Sequence, residues 1–406
     1  MPIDETVTVA LEGYAWLPDH RRRSADGVVD TRLGGQRALG LCGPEAARFF
    51  YDERNVIRHG AIPEPVQGTL FGKRAVHTLD GERHRVRKAM FVSMLTGGGV
   101  TALVDSTMAA WSARTGSWRA GEPVVLFEEA SRVITEGVHQ WAGVPLDEAD
   151  VADTAADLIA MVDGFTSAGP RHWRARRARG RQERQLCGLV EQIRSGRATA
   201  PAGSILATVA AHRDADGRLL DPQVAAVELL NVVRPTVAVS WFVTYAAHAL
   251  HRWPQQRERL RFDDAYVEAF VHETRRYYPF APFIGGRAAR DLEWKGRRVP
   301  AGRLVLLDLY GQNHHPDLWT DPDAFAPERF LDREIGAYEL VPQGGGDPRT
   351  GHRCPGEQIT IALLKSLVAG LARLPYEVPP QDLDISLRRI PARVPSGMRI
   401  IPPAWA

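Results

Sequence analysis

Lysine is almost absent from this 406-residue chain: four lysines stand against 47 arginines. Cysteine is nearly as scarce, with Cys42, Cys187 and Cys354 far apart. So few and so dispersed, they exclude a disulfide framework and point to a reducing compartment. Neither sign of charge dominates. The 51 basic and 49 acidic residues leave a net +2, which excludes a protein organised around polyanion binding. The N-terminal stretch MPIDETVTVALEG carries acids early, and no basic segment leads into an apolar core, so it does not read as a secretory leader. Long apolar runs are missing too. The nearest, 225–250, holds Asn231, Arg234 and Pro235 near its middle, and a central arginine costs about 3 kcal/mol in a bilayer. These absences predict a soluble, cytoplasmic protein with no membrane span and no nucleic-acid partner. What is present, 44% apolar and 25% charged residues, is the composition of a globular chain with a large core. No repeat or low-complexity tract divides it, so residues 1–406 read as a single domain.

Helical periodicity dominates. It predicts helices near 43–52, 80–95, 101–116, 126–142, 148–166, 172–195, 221–252, 263–278 and 355–374. Asp221-Pro222 reads as an N-cap followed by a first-turn proline, and Asp80 reads as a second N-cap. Strand signals are short: 36–42, 283–289 and 302–309. The fold class expected is mainly α with a minor β-sheet.

The segment 221–252 is apolar on nearly every face, so it should run through the interior. Arg234 lies at its centre. A buried guanidinium cannot shed its charge and is costly without an anion. Pro235 follows and should kink the helix. An internal salt bridge and an anion-binding group aimed into a cavity explain this pair equally well.

The densest motif is Gly344-Gly345-Gly346-Asp347-Pro348-Arg349-Thr350-Gly351-His352-Arg353-Cys354-Pro355-Gly356-Glu357. A glycine-rich loop leads to a lone cysteine, and Pro355 suits the first turn of a helix. Cys354 would then sit at a helix N-terminus, where thiolate is favoured. A single thiolate held this way suits the axial ligand of haem iron. A phosphate loop is a poor rival, because His352-Arg353 replaces the Lys-Ser/Thr pair. A zinc site from His314, His315, His352 and Cys354 lacks paired-ligand spacing. An inert buried cysteine is the plain alternative.

Two further motifs precede this loop. Glu273 and Arg276 form E-x-x-R, spaced to pair on one helix face. Pro327-Glu328-Arg329-Phe330 follows. In this order, E-x-x-R, P-E-R-F and a glycine-rich cysteine loop resemble a cytochrome P450. The departures narrow the resemblance. The family's loop has phenylalanine and arginine where this chain has Asp347 and His352. Arg234-Pro235 stands where an acid and an alcohol are usual, although Thr236 follows. The segments Q-G-G-G (343–346), G-H-R-C-P-G-E (351–357), E-L-L-N-V-V-R-P-T-V-A-V-S (228–240), R-R-Y-Y-P-F (275–280) and L-F-G-K (70–73) resemble the bacterial hydrogen-peroxide-dependent fatty-acid peroxygenases. That branch includes decarboxylases that make terminal alkenes.

The resemblance implies a cytochrome P450 fold, with haem b between the long central helix and the cysteine loop. Cys354 would be its axial thiolate ligand. Glu273, Arg276 and Arg329 would form a structural ion-pair network, and Arg58, His84 and Lys88 would meet the haem propionates. Arg234, with Pro235 beside it, would bind the substrate carboxylate, which would serve as the acid–base that arginine cannot be. His77 would stand over the haem face and bear on the choice between alkene and hydroxy acid. Phe71 would pack near haem and substrate, and Phe280 and Phe283 would line the acyl channel. The partners implied are a fatty acid and hydrogen peroxide, with no obligatory reductase. Two other functions compete: a monooxygenase of a small apolar acid that needs redox partners, and a non-catalytic haem sensor or fatty-acid-binding protein. The arginine run around His172 and Trp173 reads as a solvated helix face near the substrate entrance.

Overall fold

A computed structural model describes residues 3–403. Its centre is the apolar segment expected to run through the interior. Helices Pro222–Val237 and Val239–Arg252 follow one another through a single non-helical residue, Ala238. Asp221 caps the first, accepting from the Gln223 and Val224 amides at 3.0 and 3.4 Å. Pro235, expected to kink the helix, lies inside helical backbone, and the one non-helical residue comes three positions later, at Ala238. By length and composition Pro222–Arg252 is able to cross a membrane, but 94% of its most apolar window is buried in the fold. Its apolar surface is spent on packing against other helices, which is why no polar face was visible in the sequence.

Helices Leu126–Ala142, Pro170–Arg194, Val151–Asp163 and Glu357–Arg373 surround it. Together they build one large apolar cluster that includes Trp241, Phe270 and Leu364. The observed bounds differ from the expected ones mainly at the ends. The helix expected over 148–166 occupies Val151–Asp163, after a short 3-10 turn at Glu148–Asp150. Among the described residues six short α-helices went unforeseen: Thr6–Glu12, Trp16–Arg23, Glu64–Val66, Ile205–Ala211, Gln256–Phe262 and Leu309–Asn313. Each is eight residues or fewer, too short to show a clear helical period.

The sheet is small. Five strands run in the order Val29–Leu33, Gln36–Leu41, Leu304–Asp308, Phe283–Ala288, Val56–Ile57. The second and third pair in parallel, with Ala38 opposite Leu304. The third and fourth are antiparallel, with Phe283 opposite Asp308. This sheet has its own apolar clusters, around Phe50 and Val305 and around Trp16 and Leu306.

Candidate active site

Cys354 lies in the loop ahead of the last long helix. The expectation that it occupies the helix N-terminus is corrected: the helix starts at Glu357, with Gly356 as N-cap, and Pro355 precedes it. Burial pushes the thiol's pKa up, and the Lys88 charge, the Gly356 amide and the Gln343 side chain pull the other way. The Cys354 N–H donates to the Gln343 carbonyl at 3.0 Å. Gln343 Nε2 lies 3.7 Å from Cys354 Sγ and donates to Thr360 Oγ1 at 3.0 Å. Its Oε1 accepts from Arg275 Nη2 at 3.0 Å. Because a guanidinium only donates, the amide oxygen must face Arg275, which turns the N–H end toward the sulfur. Arg275 is held in turn by Glu357, whose other oxygen accepts from Arg353 Nε at 2.6 Å.

The central helix supplies the second half of the site. Arg234 is 5% exposed, and among the described residues no carboxylate lies within 4.0 Å of it. Its hydrogen bond runs from Nη2 to Asn231 Oδ1 at 3.2 Å, and its buried Nε has no partner. Burial, and next the charge of Arg179, push its pKa down to about 9. Asn231 is itself fixed, its Nδ2 donating to the Phe71 carbonyl at 2.9 Å and to Glu228 Oε2 at 3.1 Å. Glu228 is fully committed elsewhere, accepting from Arg87 Nη1 at 2.7 Å and from the Val76 amide at 2.8 Å. Glu228, Asn231 and Arg234 are three apart on one helical stripe, a spacing present in the sequence but not singled out there. Between 224 and 250 every residue is buried except Pro235. Its neighbours Arg234 and Thr236 are covered, so open space meets the helix at the proline ring and not along the rest of this stretch. The Thr236 hydroxyl is occupied by the Val232 carbonyl at 2.8 Å.

Phe71 and His77 complete this end. The Arg234 guanidinium lies 5.9 Å from the Phe71 ring, and the Phe71 and His77 rings are 4.4 Å apart. His77 Nδ1 is buried without a partner. Burial, and next the charge of Arg234, hold the imidazole well below its usual pKa, so it is neutral at pH 7.

Buried cations cluster near the loop. Lys88 donates to the Arg353 carbonyl, and burial lowers its pKa to about 8. The Arg58 guanidinium lies 4.2 Å from the Phe50 ring and makes only 3.5 Å contacts with the Val56 and Phe50 carbonyls. Neither cation has a carboxylate within 4.0 Å among the described residues. His84 stacks on His352 at 3.9 Å. His352 Nε2 lies 3.0 Å from Glu53 and 3.4 Å from Asp80. Asp80 marks the start of the helix Gly81–Leu95 as expected, but its side chain serves another purpose. It occupies the N-cap position but caps no amide of its own helix. Its oxygens instead accept from the Arg58 and His59 amides at 2.8 and 2.7 Å. It pins the segment carrying Arg58 to the helix carrying His84 and Lys88.

Glu273, Arg276 and Arg329 also come together. Arg276 makes a bidentate pair with Glu273 at 2.7 and 2.8 Å, and Arg329 Nε lies 3.2 Å from Glu273 Oε2. Arg276 also donates to the carbonyls of Asn313, Pro322 and Ala324. Phe280 packs in the helical cluster, against Phe242 and Trp241. Phe283 does not join it: it sits on the sheet, 5.7 Å from Trp16. The rival zinc grouping does not assemble among the described residues. His314 is bonded to the Tyr310 carbonyl and His315 lies beside Asp317, and neither shares a cluster with His352 or Cys354.

These residues fit a haem. A sulfur with an oriented N–H donor is present, open space meets the central helix at Pro235, and Arg58 and Lys88 are buried cations with no carboxylate within 4.0 Å among the described residues. A porphyrin with two carboxylates supplies what such cations need.

The chain matches the cytochrome P450 family over residues 255–382. It is 25% identical over 401 residues to cyclooctat-9-en-7-ol 5-monooxygenase of Streptomyces melanosporofaciens, covering 89% of this chain and 84% of that one. Solved structures are closer. Cytochrome P450SP alpha (CYP152B1), seen in complex with (R)-ibuprophen, has a TM-score of 0.95 and 40% identity, covering 98% of each chain. Cytochrome P450EX alpha (CYP152N1) with myristic acid has a TM-score of 0.94 and 38% identity, covering 99% of this chain and 98% of that one. A variant of cytochrome P450 OleT in complex with arachidonic acid has a TM-score of 0.95 and 35% identity, covering 99% of this chain and 97% of that one. With such identity over nearly its whole length, the chain belongs to the cytochrome P450 family, in the branch that holds these three proteins, and is an oxidoreductase carrying haem with a cysteine thiolate ligand.

Proposed function

We propose that the protein is a haem-thiolate peroxygenase that uses hydrogen peroxide to oxidise long-chain fatty acids near the carboxylate. The products are terminal alkenes by oxidative decarboxylation and α- or β-hydroxy acids. One observation carries the reading: Arg234 is a buried cation next to the exposed Pro235, with a neutral amide as its hydrogen-bond partner. A fatty-acid carboxylate is the anion that completes it. Two relatives named above hold myristic acid and arachidonic acid, which supports a fatty acid as the class of ligand.

In this reading Cys354 is the axial ligand, and Arg58, His84 and Lys88 hold the propionates. Glu273, Arg276 and Arg329 brace the region behind them. When bound, the haem supplies the oxidising chemistry and the thiolate promotes O–O cleavage. The chain supplies orientation and proton management. Arg234, protonated at pH 7, seats the carboxylate and cannot act as a base. Glu228 cannot take that part either, because its oxygens are occupied by Arg87, Val76 and Asn231. Arg234 therefore recruits the base that the pocket lacks: the substrate's own carboxylate oxygen, which accepts the peroxide proton. His77, neutral and with an unpartnered Nδ1, offers a hydrogen-bonding group at the same end and bears on the alkene-to-hydroxy-acid ratio. Phe71, together with Pro235, shapes the approach, and Phe280 lines the channel for the chain, whereas Phe283, packed on Trp16, takes no part in it. The residues 1–406 act as one haem domain, and no reductase is required.

Product analysis tests this. The purified haem protein is incubated with saturated fatty acids of several lengths and peroxide, without reductase, beside an Arg234→Ala control. Alkenes or 2- and 3-hydroxy acids, lost in the control, are expected. No product at any chain length, with turnover restored by a reductase and reduced nicotinamide cofactor, overturns the peroxide reading.

A further inference from the structure

The long helix Pro170–Arg194 carries a feature that the haem site does not use. Trp173 is 60% exposed, and Arg174, Arg177, Arg181 and Arg184 share its outward face. Arg181 is paired with Asp157, but among the described residues no carboxylate lies within 4.0 Å of Arg177 or Arg184. At the first turn of this helix the charge is more concentrated. Arg171, Arg174 and Arg389 all converge on one buried carboxylate, Asp163. Arg393 lies near the same group, where burial and next the charge of Arg389 lower its pKa. Four cations thus share one anion.

The segment 387–393 joins this patch to a second apolar tip. Arg171 Nη2 and Thr166 Oγ1 donate to the Ile390 carbonyl at 3.3 and 3.1 Å, which seats that segment beside the helix start. Leu387 is 37% exposed and Arg388 is exposed beside it. The Leu387 carbonyl accepts from the Tyr14 amide at 2.9 Å, just past helix Thr6–Glu12. That helix buries none of its residues, Val7 and Leu11, four apart, share one exposed apolar face, and Ile3, ahead of the helix, is exposed as well. The long helix and the 387–393 segment therefore carry exposed apolar tips beside arginines, and the chain leads from that segment's partner Tyr14 directly to the exposed helix Thr6–Glu12.

We propose that this face docks on an anionic lipid surface. Arginines beside exposed tryptophan and aliphatic tips suit a headgroup interface, where cations meet phosphates and apolar tips enter the acyl boundary. The exposed tips stand on separate elements, which suits a partner without fixed shape. The reason for docking rests on the fatty-acid reading, since a membrane is where such acids partition. The docking itself is measured without turnover.

The test is sedimentation of the full-length haem protein with vesicles of phosphatidylglycerol and phosphatidylcholine, against phosphatidylcholine alone. Binding is expected only with phosphatidylglycerol and should be lost as salt rises to about 0.5 M. Arg174→Gln and Arg177→Gln should each lower partitioning about fivefold. Trp173→Ala should weaken binding without changing its salt dependence. Turnover of dispersed fatty acid should be the same in all three variants. Equal binding to both vesicle types, or no binding to either, overturns the proposal. Capture by polyglutamate in the absence of vesicle binding also overturns it, in favour of an acidic protein partner.

Discussion

The Arg234 guanidinium donates from Nη2 to Asn231 Oδ1 at 3.2 Å, one helical turn away on the same helix. The amide accepts but does not neutralise, so Arg234 is oriented while its charge stays available. Two acceptors fix which end of Asn231 faces it, the Phe71 carbonyl and Glu228 Oε2.

Replacing that amide by a carboxylate should put the anion inside the protein. Asn231→Asp is expected to weaken fatty-acid binding about 10- to 100-fold, the range of a charged hydrogen bond. Asn231→Ala should lose less. A fatty-acid titration followed by the haem absorption band reads both, and unchanged affinity in Asn231→Asp would refute the assignment.

Glu228 is fully buried, and Arg87 compensates its charge. Arg87→Leu leaves that charge alone in the core and should cost roughly 3–5 kcal/mol. Thermal unfolding of the single variant and of Arg87→Leu/Glu228→Gln separates charge from packing. The double variant should recover much of the loss, because a neutral amide needs no counter-ion.

Acid should weaken the fold through buried imidazoles. Burial pushes His248 and His314 down to about 4 from the usual 6.5. Between those values the folded state binds fewer protons than the unfolded one. Stability is therefore complete above about pH 6.5 and falls as pH drops toward 4, by about 1.4 kcal/mol per pH unit for each group. His248 Nδ1 pairs with the Tyr278 hydroxyl at 2.7 Å. His248→Gln preserves a polar partner for Tyr278 and should flatten the decline in melting temperature across this window.

The amide of Gln343 faces the Cys354 sulfur because Arg275 claims its oxygen. Removing an N–H donor from a thiolate leaves more charge on sulfur and stabilises the ferric state. Gln343→Leu should lower the reduction potential, and Arg275→Met should shift it in the same direction by freeing the amide to rotate. Spectroelectrochemistry of the haem protein measures both, and an unchanged potential in Gln343→Leu would remove the sulfur contact from the account.

Much of the site was legible residue by residue. The three-residue spacing of Glu273 and Arg276 announced their pairing, and they form a bidentate pair. Asp221-Pro222 announced a helix start, and its carboxylate caps two amides. Asp80 also marked the start of its helix, but its carboxylate is used elsewhere. An N-cap preference is local, whereas the amides of Arg58 and His59 that captured Asp80 come from a segment more than 20 residues away in sequence. Cys354 was misplaced for a related reason. Pro355 is compatible with a first helical turn, but the loop's bonds to Gln343 hold the backbone open until Glu357.

The sequence by itself determined the long helices, the apolar central segment and the order of motifs that marks the family. Those depend on periodicity and on residue identity, which are written locally. Only the tertiary structure decided which charges are paired. Arg87 and Arg234 are both buried arginines, and nothing local separates them. Folding brings Glu228 to Arg87 and a neutral amide to Arg234, so one becomes a closed ion pair and the other remains open. Burial then gives that difference its weight, because an unpaired charge matters little in water and a great deal in the interior.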